Sequence, residues 1–582
     1  MDRVEKQQET EGIMSMDRRT FFKGAAAVGA TAVTASLIGC SSGGANEANG
    51  SDATDRRYPG ILDAQDFENS VVKIDPISEF VAEHTYDIVV VGAGTSGLPA
   101  ILTALEEGAS VACLQKESVP VSQGSSSTGF LIDESTETGL LRFMQIFREK
   151  CEFRVNWDLL KTYVDHSGET IMWMYKMGQE VGFSPYKTIK EYVSYDENGY
   201  VTKLTNRFGP KPQNNNNLIA KLSDMAEQKG AEFFYSTPAV QLIVENGAVT
   251  GVVGESKEGY IKFNAEKAVI LATGDYQNND SMVEKYSPDL VNFARKQINK
   301  TGDGHLMSML AGAQMCGVNH SHQMHDGDTG PMRNEPFLAV SVEGKRFMNE
   351  EIVMSNWNMG LRDNPYPAGQ FCHIFDNDYA AQVTEWGGKP ASEKEILAYS
   401  PESGVSAEEG GLTDGRMDDL IATYYADTLD ELAEKLEIPA DALKESVKRY
   451  NELCAAKADT DFGKQAKYLQ PIENPPFWGV RRNIRITAIC CGIAVDPNYQ
   501  VVDEEKNPIP GLYAVGFSAG DICGSVEWNT YVVGMSNGTC MTSGRIAAAH
   551  AVNGEIKLSK PVTWEEMSEY YTNLGQGGGR AF

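Results

Sequence analysis

Tyr86-Asp-Ile-Val-Val-Val-Gly-Ala-Gly-Thr-Ser-Gly97 carries a strand, a glycine turn and the start of a helix in direct succession. Ile88 to Val91 form a β-branched run, as a strand buried on both faces needs. Gly92, Gly94 and Gly97 follow as Gly-x-Gly-x-x-Gly. They permit a tight turn, close approach of the backbone to a pyrophosphate, and close packing of helix on strand. Leu98 to Glu107 then reads as a helix, with Pro99 tolerated in its first turn. Its N-terminus would turn amide groups and the positive end of the helix dipole toward an anion. A second strand is expected at Ser110 to Leu114.

The chain has 582 residues, enough for two or more domains and a large core. Its formal net charge of −30 makes nucleic acid and anionic lipid headgroups poor partners. None of the ten cysteines forms a Cys-x-x-Cys pair, which argues against a c-type haem, a zinc ribbon and a thioredoxin-like site. Buried free thiols are expected, with an iron–sulfur cluster on scattered cysteines as the alternative, and no metal site is assigned.

Asp17-Arg18-Arg19-Thr20-Phe21-Phe22-Lys23 resembles a twin-arginine export signal. The apolar run from Gly24 to Gly39 is too short for a membrane span. Leu37-Ile38-Gly39-Cys40 resembles a lipobox, in which Cys40 would carry a lipid; the alternative is an unmodified residue near an ordinary cleavage site. Residues 1–40 are thus read as a signal and 41–83 as a flexible tether. The expected location is the periplasmic or extracytoplasmic face of the membrane, with membrane contact only through Cys40. Twin-arginine systems export folded proteins, which suits a chain that binds its cofactor before leaving the cytoplasm.

Beyond the first strand–helix–strand unit lies a polar loop, Ser122 to Gly129, whose Ser125, Ser126 and Thr128 are short enough to approach a diphosphate or a flavin edge. Residues 139–182 read as mostly helical, and Leu218 to Lys229 as a helix capped by Asn217. Alternating strands are expected at 232–234, 239–244, 249–255 and 260–264. A separate buried strand, from Lys267, ends in Ala272-Thr273-Gly274. Pro510 to Gly516 repeats the pattern of apolar strand followed by glycine.

These pieces, with Thr301-Gly302-Asp303-Gly304, Gly344-Lys345-Arg346-Phe347-Met348-Asn349-Glu350, Thr428 to Ala433, Asp461-Phe462-Gly463-Lys464 and the block from Gly511-Leu512-Tyr513-Ala514 to Gly544-Arg545, resemble the flavoprotein subunit family of fumarate reductases and succinate dehydrogenases. Relatives of that family include urocanate reductases and 3-ketosteroid dehydrogenases. The resemblance spans roughly residues 84–560. It implies an α/β fold: a doubly wound, Rossmann-like FAD-binding domain (84–315 and 488–560) interrupted by an α+β capping domain (316–487), with 561–582 as a tail. The implied cofactor is FAD. Its implied contacts are Gly92, Gly94, Gly97, Gln115, Lys116, Ser125, Ser126, Thr128, Ala272, Thr273, Gly274, Asp303, Gly516 and Asn537. One departure is Gln115, which stands where an acidic residue usually accepts from the ribose hydroxyls. A glutamine carbonyl can accept one such bond, and it is preferred here over Glu117.

The family's dicarboxylate chemistry is missing. Met354 stands where fumarate reductases have their proton-donating arginine. Met324-His325-Asp326 and Thr487-Ala488-Ile489-Cys490-Cys491-Gly492 replace the histidine-bearing regions, and Tyr531 replaces a clamping arginine. Carboxylate recognition favours arginine, so fumarate is a poor substrate for this set. Met324, Met354, Trp357, Trp528, Tyr531, Met535, Cys490 and Cys491 would instead wall the site with apolar, polarisable groups. Tyr531 is the first choice of proton donor, being next to the Gly534-x-x-x-Gly538 turn expected near the flavin, with Arg333 and His325 as further candidates. The resemblance then implies reduction of an activated C=C bond, an enone or aryl-conjugated alkene, with electrons from a separate cytochrome or flavoprotein donor in anaerobic respiration. The reverse, dehydrogenating direction uses nearly the same residues. A flavin electron-transfer subunit without substrate chemistry of its own is the remaining reading.

Overall fold

The computed structural model describes residues 62–195, 199–209, 213–317, 320–324, 330–332, 335–351, 360–410, 417–520, 522 and 532–568. Its strands in chain order are β1 (Ala82–Val91), β2 (Val111–Gln115), β3 (Ser126–Phe130), β4 (Lys187–Ser194), β5 (Tyr200–Arg207), β6 (Glu232–Tyr235), β7 (Ala239–Glu245), β8 (Ala248–Ser256), β9 (Gly259–Leu271), β10 (His322–Gln323), β11 (Leu338–Ser341), β12 (Gln370–Phe375), β13 (Ile421–Ala426), β14 (Phe477–Asn483), β15 (Ala488–Ile489), β16 (Gln500–Val502) and β17 (Pro508–Ala514).

The main sheet runs β16-β17-β9-β1-β2-β6, with β7 and β8 joined through β9. β1 lies parallel to β2 and to β9, β2 to β6, and β17 to β9. Parallel strands covered on both faces demand continuous apolar runs, and Ile88, Val89, Val90 and Val269 to Leu271 are fully buried. The register sets Val91 opposite Leu114 and Leu271, and Ala514 opposite Leu271. The carboxyl ends of four strands therefore share one edge, where doubly wound sheets bind ligands.

Helix Gly97–Glu106 follows β1, and helix Met535–Asn553 crosses it. Gly544 permits that crossing, since a Cβ there would overlap the Ser96 carbonyl. Arg545, fully buried, pairs with Glu169 at 2.8 Å and Glu106 at 3.2 Å and so joins three helices.

The segment between the two parts of the main sheet builds its own antiparallel sheet, β11-β12-β14-β13. Helices Leu429–Leu436 and Ala440–Ala456 pack on it through Leu432, Leu436, Leu443 and Val447. Here the Gly344–Glu350 and Asp461–Lys464 motifs meet. Arg346 forks onto Glu350 with two bonds of 2.9 Å and reaches Asp459 at 2.8 Å. Lys464, fully buried, lies 3.3 Å from Glu350 and donates to Tyr450 Oη and Pro336 O. Burial pulls Lys464 below the usual lysine range. Burial raises Asp459, but Arg346 and backbone N–H groups overcome it and hold the carboxylate low. These two motifs thus bolt this layer together.

Several expectations are corrected. β9 is one strand, since Asn264 to Ala268 continue along β1 across an irregularity at Tyr86/Ile88. The helix expected from Leu218 runs Asn215–Gln228 and is capped by Asn214, which accepts from Asn216 N–H while Asn217 accepts from Asn214 N–H; the run of asparagines lets the helix start earlier. The polar loop from Ser122 becomes β3 at Ser126 and pairs with β5. The tether is not free over residues 62–81: Leu62 and Val72 are buried, and Asp66 pairs with Lys285 at 2.6 Å. The tail begins packed, with Val562 and Met567 buried. The signal segment and Cys40 lie outside the described residues. No helix among the described residues is long and apolar enough to cross a membrane.

Candidate active site

At the shared carboxyl edge lies a cleft of two lobes. The first encloses about 600 Å³ between Gly92, Gly94, Gln115, Lys116, Glu117, Ala272, Thr273, Lys300 and Asp303. The second encloses about 540 Å³ between Thr95, Ser96, Ser122, Gln123, Gly274, Asp275, Gln297, Phe517, Asn537 and Cys540. Gly94, Val121, Ala272 and Lys300 line both and form the waist. The two lobes adjoin along these four residues and form one groove.

The glycine turn has its expected geometry. Gly92 has φ +106°, and a Cβ there would lie 2.5 Å from Ala272 O. A Cβ on Gly97 would overlap the Gly92 carbonyl. Gly94 lines both lobes beside the N-terminus of helix Gly97–Glu106, and a helix N-terminus suits an anion.

Gln115 lines the first lobe, and its amide is also held at both ends. Ala93 N–H donates to its Oε1 at 2.9 Å, and its Nε2 donates to Val119 O at 3.0 Å. Its amide thus braces the glycine turn. β2 ends at Gln115, so the chain has already turned by Glu117, which lines the same lobe and carries a carboxylate. Glu117 thus stands beside Gln115 in the lining of that lobe. Lys116 reaches Asp303 at 2.9 Å, Thr301 Oγ1 at 2.8 Å and Asn299 O at 3.2 Å.

Behind the groove lining, Ser518 Oγ lies 3.0 Å from Thr273 Oγ1 and donates to Gly274 O at 3.1 Å, holding that loop. Asn537 Nδ2 donates to Ser126 O at 3.1 Å. Ser125, Ser126, Thr128 and Gly516 line neither lobe. Thr128 spends its hydroxyl on Val533 O at 2.6 Å, Ser125 O accepts from Phe208 N–H, and Gly516 N–H donates to Ser543 Oγ. Ser122, Gln123 and Phe517, their chain neighbours, are at the groove instead.

Asp275 and Lys300 have no place in the expected site. Asp275 Oδ1 accepts from Gln277 N–H at 3.1 Å and Oδ2 from Ile489 N–H at 2.9 Å. Burial raises its pKa against those bonds. Burial lowers Lys300, and the Asp275 charge opposes that. Each adjoins a motif, Asp275 after Ala272-Thr273-Gly274 and Lys300 before Thr301-Gly302-Asp303, which is the signal that could have found them.

β15 is fastened to the groove. Gln277 Nε2 and Gln123 Nε2 donate to Thr487 O at 3.3 and 3.2 Å. Ala488 and Cys490 pack with Phe130, Tyr163 and Met535, and Cys491 packs with Cys316. Met324 belongs to the main core. Of the residues expected in the site wall, Met324, Met535, Cys490 and Cys491 are buried members of these apolar clusters. Tyr531, Arg333 and His325, with Met354, Trp357 and Trp528, lie outside the described residues. The described cysteines are buried free thiols, and the described residues hold no cluster of three or more metal-ligating side chains.

The family model of the FAD binding domain matches residues 87–531. Vinyl phenol reductase of Lactiplantibacillus plantarum is 27% identical over 514 residues, covering 81% of this chain and 97% of that protein. Urocanate reductase of Eggerthella lenta is 27% identical over 495 residues, covering 80% and 74%. Among solved structures, the open conformation of a flavocytochrome c3 fumarate reductase matches in fold with a TM-score of 0.60 at 22% identity, covering 81% of this chain and 79% of that one.

The groove fits FAD in kind. Its two lobes meet at Gly94 and Lys300, with polar and charged groups in one lobe and Phe517, Asn537 and Cys540 in the other. The chain belongs to the FAD binding domain family and is an FAD-dependent oxidoreductase.

Proposed function

We propose that this protein is an exported FAD-dependent reductase of an activated C=C bond, an enone or aryl-conjugated alkene, using electrons from a separate cytochrome or flavoprotein donor. The observation that carries this reading is the segment Thr487 to Cys491, which contains β15. It is fastened to the cofactor groove through Asp275, Gln277 and Gln123, yet bears no carboxylate, ammonium, guanidinium or imidazole. A dicarboxylate would find no counter-charge on it. Vinyl phenol reductase, matched over 97% of its length, is named for an aryl-conjugated alkene. Domain limits of 84–315 and 488–560 for the cofactor part and 316–487 for the cap belong to this proposal, as does export through Arg18-Arg19.

FAD, when bound, supplies two-electron hydride chemistry. The chain's own residues position and protonate. The glycine turn and the helix after it hold the diphosphate. Tyr531 is assigned to deliver a proton from its phenol hydroxyl to the substrate carbon, with Arg333 polarising a carbonyl or relaying protons and His325 as the alternative acid. The test is to reduce the purified holoprotein with a viologen dye and offer vinyl phenol, an enone and fumarate. Reoxidation by the first two and not by fumarate is expected. Reoxidation by fumarate alone, or activity only with saturated substrates and an artificial acceptor, would overturn the reading.

A further inference from the structure

The waist of the groove must carry a diphosphate, two negative charges held in a partly dehydrated passage of a protein whose own net charge is −30. Buried anions require partners, and backbone amides supply only partial charge. Two lysines are at hand. Lys116 has three donors and three acceptors, Asp303, Thr301 and Asn299, so its capacity is filled. Among the described residues Lys300 makes one long hydrogen bond, 3.4 Å to Thr273 O, and is half-buried. Its side chain lies over Gly274, where a Cβ would come within 2.8 Å of Nζ. It lines both lobes, which otherwise share only Gly94, Val121 and Ala272. Asp275 is buried in the adjoining lobe wall and is the carboxylate that most favours its charged form.

We infer that Lys300 binds the cofactor's diphosphate, its ammonium adding a full charge to the amides of the glycine turn, with Asp275 as its counter-charge. A lysine suits this place because it meets phosphate as a compact charge on a flexible stem. Gly274 leaves the stem its path. The motif then extends beyond the three glycines to a residue some 200 positions later in the chain.

The test uses the full chain, deflavinated and reconstituted with FAD, and does not involve alkene turnover, so it fails independently of the substrate assignment. Lys300→Met should weaken FAD binding by about 10- to 100-fold, the range of one charge-assisted hydrogen bond. The melting temperature without FAD should stay at or above that of the parent, because a half-buried cation has been removed. The increment gained on adding FAD should shrink, as mass action requires. Unchanged FAD affinity would overturn the inference. So would a weakened affinity accompanied by an equal loss of stability without FAD, which marks a merely structural lysine. If Lys300→Met does not fold, Lys300→Gln, with a shorter polar side chain, reads the same two quantities.

Discussion

Asp275 accepts a hydrogen bond from the Ile489 N–H at 2.9 Å, and this one contact joins the cofactor loop to the second part of the chain. Asp275 directly follows Ala272-Thr273-Gly274, while Ile489 is in β15, paired with His322 of β10. Gln277 repeats the link through Thr487. The ribbon that bears Met324 at one end and Cys490 at the other is therefore indexed to the groove by buried polar bonds. Such bonds are directional and expensive to leave unmade, so they fix position where apolar packing alone would let the ribbon slide.

Gly97→Ala should give protein that lacks FAD. The added Cβ would overlap the Gly92 carbonyl, and Gly92 is itself wedged against Ala272. Neither backbone can yield without moving β1 from β9. Flavin absorbance of the purified variant is the measurement. A yellow, fully loaded Gly97→Ala protein would show that the turn does not hold the cofactor.

His305 should make the protein acid-labile. It is fully buried, and burial, with His320 adding to it, pushes its pKa down from 6.5 to about 4. The unfolded chain binds the proton more readily than the folded one. Its contribution is therefore complete above about pH 6.5 and is lost as pH falls toward 4, on the order of 3 kcal/mol in full. Melting temperature followed from pH 7 to pH 4 should fall steeply in the parent. His305→Asn should melt lower at pH 7, through lost packing on Tyr276, but fall less across that window. Parallel curves would exclude His305 as the group responsible.

What was legible in the sequence was local. The glycine turn, its strand and its helix lie within about twenty residues, and their pattern names their geometry. The role of Gln115 was not legible, because its amide answers to Ala93, 22 residues earlier and brought near only by parallel pairing of β1 and β2. Thr128 has the size of a cofactor contact, but its hydroxyl is used by Val533, more than 400 residues away. The motifs at Arg346 and Lys464 read as family marks, and only their meeting across 113 residues at Asp459 shows that they staple one layer. Lys300 and Asp275 adjoin motifs and were open to inference. Their proximity was not, since it depends on the loops after β9 converging.

Arg545→Met should destabilise the protein by about 3–5 kcal/mol, the usual range for a buried ion pair that loses one partner. The guanidinium forks onto Glu169 with bonds of 2.9 and 2.8 Å, reaches Thr103 at 3.0 Å, and lies 4.2 Å from the Trp173 ring centre. Its removal leaves Glu169 and Glu106 largely buried without a cation. Arg545→Lys should lose less, because it keeps charge and gives up the fork. Removing the second partner as well, in Arg545→Met with Glu169→Met, should restore much of the loss. Denaturant unfolding of the three variants checks the order, and a double variant no better than Arg545→Met would contradict the account.

Tyr531→Phe should lower turnover of the reduced holoprotein with an alkene by about 10²-fold or more, with FAD loading unchanged. The phenol has the one ionisable proton at the position where the resemblance places a clamping arginine, and Met354 removes the family's usual donor. A proton donor acts in the transition state, so kcat and kcat/KM should fall together while KM stays. A residue that only shapes the pocket would raise KM instead. Retained kcat in Tyr531→Phe would transfer the role to His325 or Arg333, which His325→Gln and Arg333→Met then separate by the same comparison. The pH profile gives an independent reading: the high-pH limb of kcat should vanish in the variant that has lost the acid.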